Sequence, residues 1–193
     1  MKTDIILAGV GGQGILSIAS ILGAAALNEE LYLKQAETHG MSQRGGAVVS
    51  HLRISDREIA SDLIPKGSAD IILSVEPMEA LRYLPFLSKK GYIVCNTTPV
   101  INVPDYPELE SILEEIRKQP HFITIDADEM AAEIGNKRAS NMVMLGAAAP
   151  FVNLNPEKIE AGIEAIFSKK GEEVVELNHR AFRAGLEFAL ANK

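Results

Sequence analysis

The first residues that could do chemistry form a glycine turn, GVGGQG, at positions 9–14. Gly9, Gly11 and Gly14 fill the spacing G-x-G-x-x-G, with a strand expected before the turn and a helix after it. Gly9 would permit a tight exit from the strand. Gly11 would let a phosphate or another backbone come close, and Gly14 would let the helix pack tightly on a sheet. The helix start would offer free N–H groups and a positive dipole end to an anion. The same glycines also suit a structural crossover that binds nothing.

A second cluster of reactive types is ETHGMSQRGG, Glu37 to Gly46. It crowds Glu37, Thr38, His39, Ser42, Gln43 and Arg44 beside Gly45 and Gly46. Arg44 brings a planar fork suited to a carboxylate or phosphate. Loops this long inside compact domains are more often functional than idle, although a solvated loop would look the same. Glu37 follows the second expected strand, where a dinucleotide domain carries its ribose-binding acid. That strand is weak, and no substrate domain follows it.

Other candidates point elsewhere. The four histidines, His39, His51, His121 and His179, form neither H-x-x-x-H nor H-E-x-x-H, so a metal site is not expected. His39 alone falls on the expected functional edge. No Ser-His-Asp or Cys-His arrangement can be assigned. Cys95 sits in an apolar run and is expected to be a buried, inert thiol. Glu76 and Asn141 stand where helices begin, so capping is the plain role of each.

The elements that must position these residues alternate between strand and helix. Strands are predicted at Ile5–Ala8, Leu31–Ala36, Ala47–Ile54, Ala69–Val75, Gly91–Thr97 and His121–Ile125. Helices are predicted at about Gln13–Leu27, Glu76–Leu87, Glu108–Lys118, from Asp126 or Asp128 to Ile134, at Asn141–Phe151, Pro156–Ser168 and Glu172–Ala191. Ala47–Ile54 alternates in polarity, so it is expected to be covered on one face and to run antiparallel. Pro99–Pro107 reads as a loop. Gly146 to Ala149 should admit a close neighbour. Such alternation implies an α/β fold: an open, mostly parallel, Rossmann-like sheet with helices on both faces. Ligands approach the carboxyl ends of strands in such sheets. The glycine turn, the Glu37–Gly46 loop, Glu76 and Thr97–Pro99 all map to that edge.

Bulk properties narrow the classes. The 193 residues suit one domain, and 47% hydrophobic content builds a core without cross-links. A net charge of −7 argues against a broad nucleic-acid surface. No apolar run reaches membrane-spanning length, and no basic segment precedes Ile15–Leu27 to make a signal peptide. One cysteine excludes a disulfide framework or a cysteine-ligated cluster built from this chain alone, which points to the cytoplasm.

Three segments taken in order resemble a known family. GVGGQG with its Ala/Ser-rich helix, THGMSQRGG running into a strand, and SNMVMLGA at Ser140–Ala147 look like the gamma domain of 2-oxoacid:ferredoxin oxidoreductases. The THGMSQRGG form is most similar to the small (beta) subunits of the indolepyruvate branch. The resemblance spans nearly all of residues 1–193, as a single gamma-type domain. It implies a small subunit that is inactive alone. Its partner would be a large (alpha) subunit carrying thiamine diphosphate and iron–sulfur clusters. Together they would oxidatively decarboxylate an aryl 2-oxoacid with coenzyme A and pass electrons to ferredoxin. By the same analogy Gly9, Gly11, Gly12, Gln13 and Gly14 would face a phosphate-bearing group. Thr38, His39, Gly40, Ser42, Gln43, Arg44, Gly45 and Gly46 would face the partner or the coenzyme A path, with Asn141 a further site residue. Neither nucleic acid nor membrane is expected as a partner, and a homodimer of the isolated chain stays open. The alternatives are a stand-alone NAD(P)- or flavin-binding protein and a scaffold subunit whose turn binds nothing.

Overall fold

The computed structural model describes residues 1–40 and 45–193. Strand β1, Lys2–Val10, lies at the centre of a six-stranded sheet. Its run Ile5-Ile6-Leu7-Ala8 is fully buried, because successive side chains enter cores on opposite faces. Parallel pairing joins β1 to β4 (Ala69–Ser74), β4 to β5 (Leu87–Asn96) and β5 to β6 (Phe122–Ile125). On the other side of β1, β3 (Ala47–Ser55) pairs antiparallel with both β1 and β2 (Tyr32–His39). The order β2-β3-β1-β4-β5-β6 is thus mixed and mostly parallel.

Helices cover both faces. Ile5, Leu7, Leu52, Ile54, Leu73 and Val94 point into the larger core. There they meet α1 (Ile15–Leu27), α4 (Ala127–Ile134), α5 (Ser140–Ala148), α6 (Pro156–Phe167) and α7 (Glu172–Ala191). The opposite face carries α2 (Pro77–Arg82) and α3 (Leu109–Arg117), with Ile93 and Cys95 packed against Ile112, Leu113 and Ile116. The small-residue run in α5 does admit a close neighbour. A Cβ on Gly146 would lie 1.9 Å from Phe182 O, and one on Gly185 would lie 1.9 Å from Val143 O, so α5 and α7 touch backbone to backbone. Among the described residues, no helix is long and apolar enough to cross a membrane.

Three elements differ from the sequence expectation. Strand β2 runs on through Glu37-Thr38-His39, which pair with Ser50, Val49 and Val48, so the expected loop is shorter at its start. Strand β3 is covered on both faces, not one. Val49 packs with Ile64, and His51 Nδ1 accepts the Ile64 N–H at 3.1 Å beside the Phe86 ring edge. Its alternating polar residues hold the Asp56–Ser68 segment over the sheet. Arg53 clamps buried Asp4 and donates to Ser61 O and Leu63 O. The helix expected over Glu76–Leu87 stops at Arg82, because Pro85 has no N–H to continue it.

Candidate functional site at the carboxyl edge

The turn after β1 is built largely from internal contacts. A Cβ on Gly9 would stand 2.3 Å from Val75 Cγ2 and 2.9 Å from Ile15 Cδ1, so only glycine fits. The Gln13 amide clasps the turn. Its Oε1 accepts the Val10 N–H at 2.8 Å, and its Nε2 donates to Val75 O at 3.0 Å, joining the ends of β1 and β4. The Gly11 N–H donates to Gly46 O at 2.9 Å. Gly14 has φ +79°, and its carbonyl accepts from Asn141 Nδ2 at 3.3 Å. Asn141 therefore ties α5 to the start of α1. It does not cap its own helix, whose N-cap is Ala139.

What remains open is the start of α1. Among the described residues, the N–H groups of Gly12, Gly14, Ile15 and Leu16 have no acceptor. Two recesses flank them. One, of about 320 Å³, is bordered by Gly11, Gly12, Leu16 and His39. The other, of about 360 Å³, is bordered by Gly12, Gln13, Asn96, Asp128, Lys137 and Arg138. It lies where β1 and β4 send their chains to opposite faces, the usual binding crevice of an open α/β sheet. Lys137 and Arg138 are exposed and form no ion pair among the described residues. A helix start with free N–H groups beside two uncommitted cations is chemically suited to a phosphate.

Sequence reasoning missed Asn96, Asp128, Lys137 and Arg138. Buried Asn96 donates to Asp128 Oδ2 at 2.7 Å and to Val75 O at 3.3 Å, and accepts the Ala127 N–H at 3.0 Å. It fastens β5 to α4, whose cap is Asp126. A lone amide closing the apolar run GYIVC was its available signal. The cations follow the αL residue Gly135 in a short 3-10 turn, which nothing in the sequence ties to the glycine turn.

The second cluster is only partly brought to the edge. His39 borders the smaller recess, and its Nε2 pairs with Glu37 Oε1. Glu37 also accepts from Gln35 Nε2 at 3.1 Å. Strand β3 separates Glu37 from β1, an offset of two strand spacings, or about 10 Å. That is the wrong place for the ribose acid of a dinucleotide domain. Thr38 faces Val49 in the ladder, and the Gly40 N–H donates to Ala47 O at 2.8 Å. Asn102 Nδ2 donates to Gly45 O. Ser42, Gln43 and Arg44 lie outside the described residues.

The remaining reactive groups are committed to the interior. Fully buried Glu76 caps α2 through the Glu79 N–H at 2.9 Å, and accepts also from the Val100 N–H and the Tyr106 hydroxyl. Burial, with the Glu76 charge nearby, pushes the Tyr106 hydroxyl and the Cys95 thiol well above their ordinary ranges. Both stay protonated at neutral pH, and Cys95 is no nucleophile there. Among the described residues, no three His, Cys, Asp or Glu side chains gather into a metal site.

Fold and edge together define an α/β domain of the glycine-turn class, with an antiparallel hairpin where a dinucleotide domain would continue its parallel sheet. Residues 4–188 match the pyruvate ferredoxin/flavodoxin oxidoreductase family model, and the chain belongs to that family, as a small subunit of a ferredoxin-dependent 2-oxoacid oxidoreductase. It is similar to the indolepyruvate oxidoreductase subunit IorB of Archaeoglobus fulgidus, at 38% identity covering 100% of this chain and 98% of the relative. The same subunit of Pyrococcus horikoshii is 37% identical over 96% of this chain and 95% of its own. The keto/oxoacid ferredoxin oxidoreductase gamma subunit of Geobacter sulfurreducens superposes with a TM-score of 0.72 at 25% identity, over 98% of this chain and 99% of that one. The 2-oxoglutarate:ferredoxin oxidoreductase of Magnetococcus marinus, solved with 2-oxoglutarate, coenzyme A and succinyl-CoA bound, shares the fold. Its TM-score is 0.80 at 24% identity, and the match covers 98% of this chain but 31% of that one.

Proposed function

We propose that this chain, acting as a single gamma-type domain, handles coenzyme A for an indolepyruvate-type oxidoreductase of the cytoplasm. A large subunit would carry thiamine diphosphate and the iron–sulfur clusters. The single cysteine of this chain, Cys95, is fully buried. In the complex the aryl 2-oxoacid loses carbon dioxide, the acyl group passes to the coenzyme A thiol, and the electron pair leaves to ferredoxin. The role of this chain is binding and orientation, with no catalytic residue of its own. Gly12, Gly14 and the start of α1 would receive a phosphate of coenzyme A, with Lys137 and Arg138 neutralising it. The Thr38–Gly46 stretch, Arg44 included, would face the large subunit or the coenzyme A path.

One observation carries this reading: N–H groups at the start of α1 and two cations beside them have no partner among the described residues. A scaffold reading also has support, because Gly9, Gly11, Gln13 and Gly14 each have an internal role. Calorimetry with coenzyme A and with NAD, on the chain alone and on the reconstituted complex, separates the two. Coenzyme A should bind at least about tenfold tighter than NAD, a difference of roughly 1.4 kcal/mol. No heat from coenzyme A in either preparation would leave the scaffold reading standing.

A further inference from the structure

The Thr97–Pro107 segment has no regular structure, and Ile101 to Asp105 are exposed. It is nonetheless anchored by a fully buried carboxylate. Glu76 is 0% exposed, and two of its three donors, the Val100 N–H and the Tyr106 hydroxyl, come from this segment. A buried carboxylate is costly unless fully hydrogen-bonded, so the anchor holds only while the segment stays in place. Between the two anchor points, Asn102 Nδ2 donates to Gly45 O. The next carbonyl, Gly46 O, accepts the Gly11 N–H at 2.9 Å. The contacts thus run without a gap from the core beneath α2 to the middle of the glycine turn.

We propose that Glu76 is a positioning residue for the glycine turn, acting through Tyr106, Val100 and Asn102 on Gly45–Gly46 and so on Gly11. It touches no ligand. It fixes the segment whose amide holds the start of β3, and that backbone holds the turn from outside. Gln13 holds the same turn from inside. The clasped turn keeps Gly12 and the first N–H groups of α1 facing the recess. The consequence for coenzyme A rests on the reading in the preceding subsection. The coupling itself does not.

The test uses two substitutions in the full chain, Asn102→Ala and Tyr106→Phe. Amide exchange is followed in the segment Gly9–Ile15, with Ile5–Leu7 and α7 as internal references. Loss of one ordering hydrogen bond should speed exchange at the turn by about fivefold, while the references stay unchanged. Unchanged exchange at the turn overturns the proposal. Equal acceleration in the references also overturns it, because the segment would then be merely structural. Should Tyr106→Phe fail to fold, Asn102→Ala decides alone, since that side chain is exposed. In the reconstituted complex both variants should raise the KM for coenzyme A about fivefold, with kcat at saturation within about twofold. Faster exchange with an unchanged KM upholds the coupling and removes the coenzyme A reading.

Discussion

Replacing Gln13 with methionine tests whether this side chain is a clasp or a ligand contact. Methionine keeps the length and fills the same half-buried space. It removes the acceptor for the Val10 N–H at 2.8 Å and the donor to Val75 O at 3.0 Å. The two losses are unequal. Val75 O retains the Asn96 amide at 3.3 Å, so that carbonyl stays satisfied. The Val10 N–H loses its Gln13 acceptor, and Val10 is only 3% exposed. An orphaned buried donor costs about 1–3 kcal/mol, and a net hydrogen bond about 1 kcal/mol. The half-buried setting puts the sum near the lower end, at about 2 kcal/mol. For a chain of this size that lowers Tm by roughly 4–8 °C. The assay is thermal and urea denaturation of the isolated chain. A loss under about 0.5 kcal/mol, the range of an ordinary surface substitution, would refute the clasp and return Gln13 to the ligand.

Gly146→Ala should destabilise by about 3 kcal/mol or more, because its Cβ would stand 1.9 Å from Phe182 O and force α5 off α7; a normal urea midpoint would refute the backbone contact. His51 gives a pH dependence. Burial pulls its pKa below the ordinary 6.5, with Asp62 opposing and Arg53 assisting, so the folded state favours the neutral ring that accepts the Ile64 N–H. Its contribution is present above about pH 6.5 and is lost as pH falls through the lower folded value, since the unfolded chain takes up the proton first. Urea midpoints between pH 7.5 and 5 should fall, and His51→Phe should flatten that part of the slope. Arg44→Ala should leave stability within about 0.5 kcal/mol but cut activity or assembly of the reconstituted complex about tenfold. Lost stability with unchanged activity would make Arg44 an internal residue.

The sequence revealed most where one physical signal dominated. The apolar run after Asp4 was expected as a strand and lies within β1, and α7 spans the predicted Glu172–Ala191. The small residues of α5 announced the close approach that Phe182 fills. Reading failed where tertiary pairing overrode local character. Glu37-Thr38-His39 is polar and unremarkable as strand, yet β3 supplies a ladder for it. Asn141 has the type and place of an N-cap, yet its amide is drawn to Gly14 O, 127 residues away in the chain. The recess was legible only on its glycine side. Asn96 reaches it from the end of β5, and Asp128, Lys137 and Arg138 from the helical stretch after β6, and no spacing rule links them to residues 9–14.

The most direct test of the account is the KM for coenzyme A in the reconstituted complex carrying Lys137→Ala and Arg138→Ala together. Neither side chain forms an internal ion pair among the described residues, so the subunit should fold and assemble normally. The KM for coenzyme A should rise by about tenfold or more, with the KM for the 2-oxoacid and kcat at saturating coenzyme A nearly unchanged. An unchanged KM for coenzyme A, with the subunit fully assembled, would contradict the placement of coenzyme A at this edge.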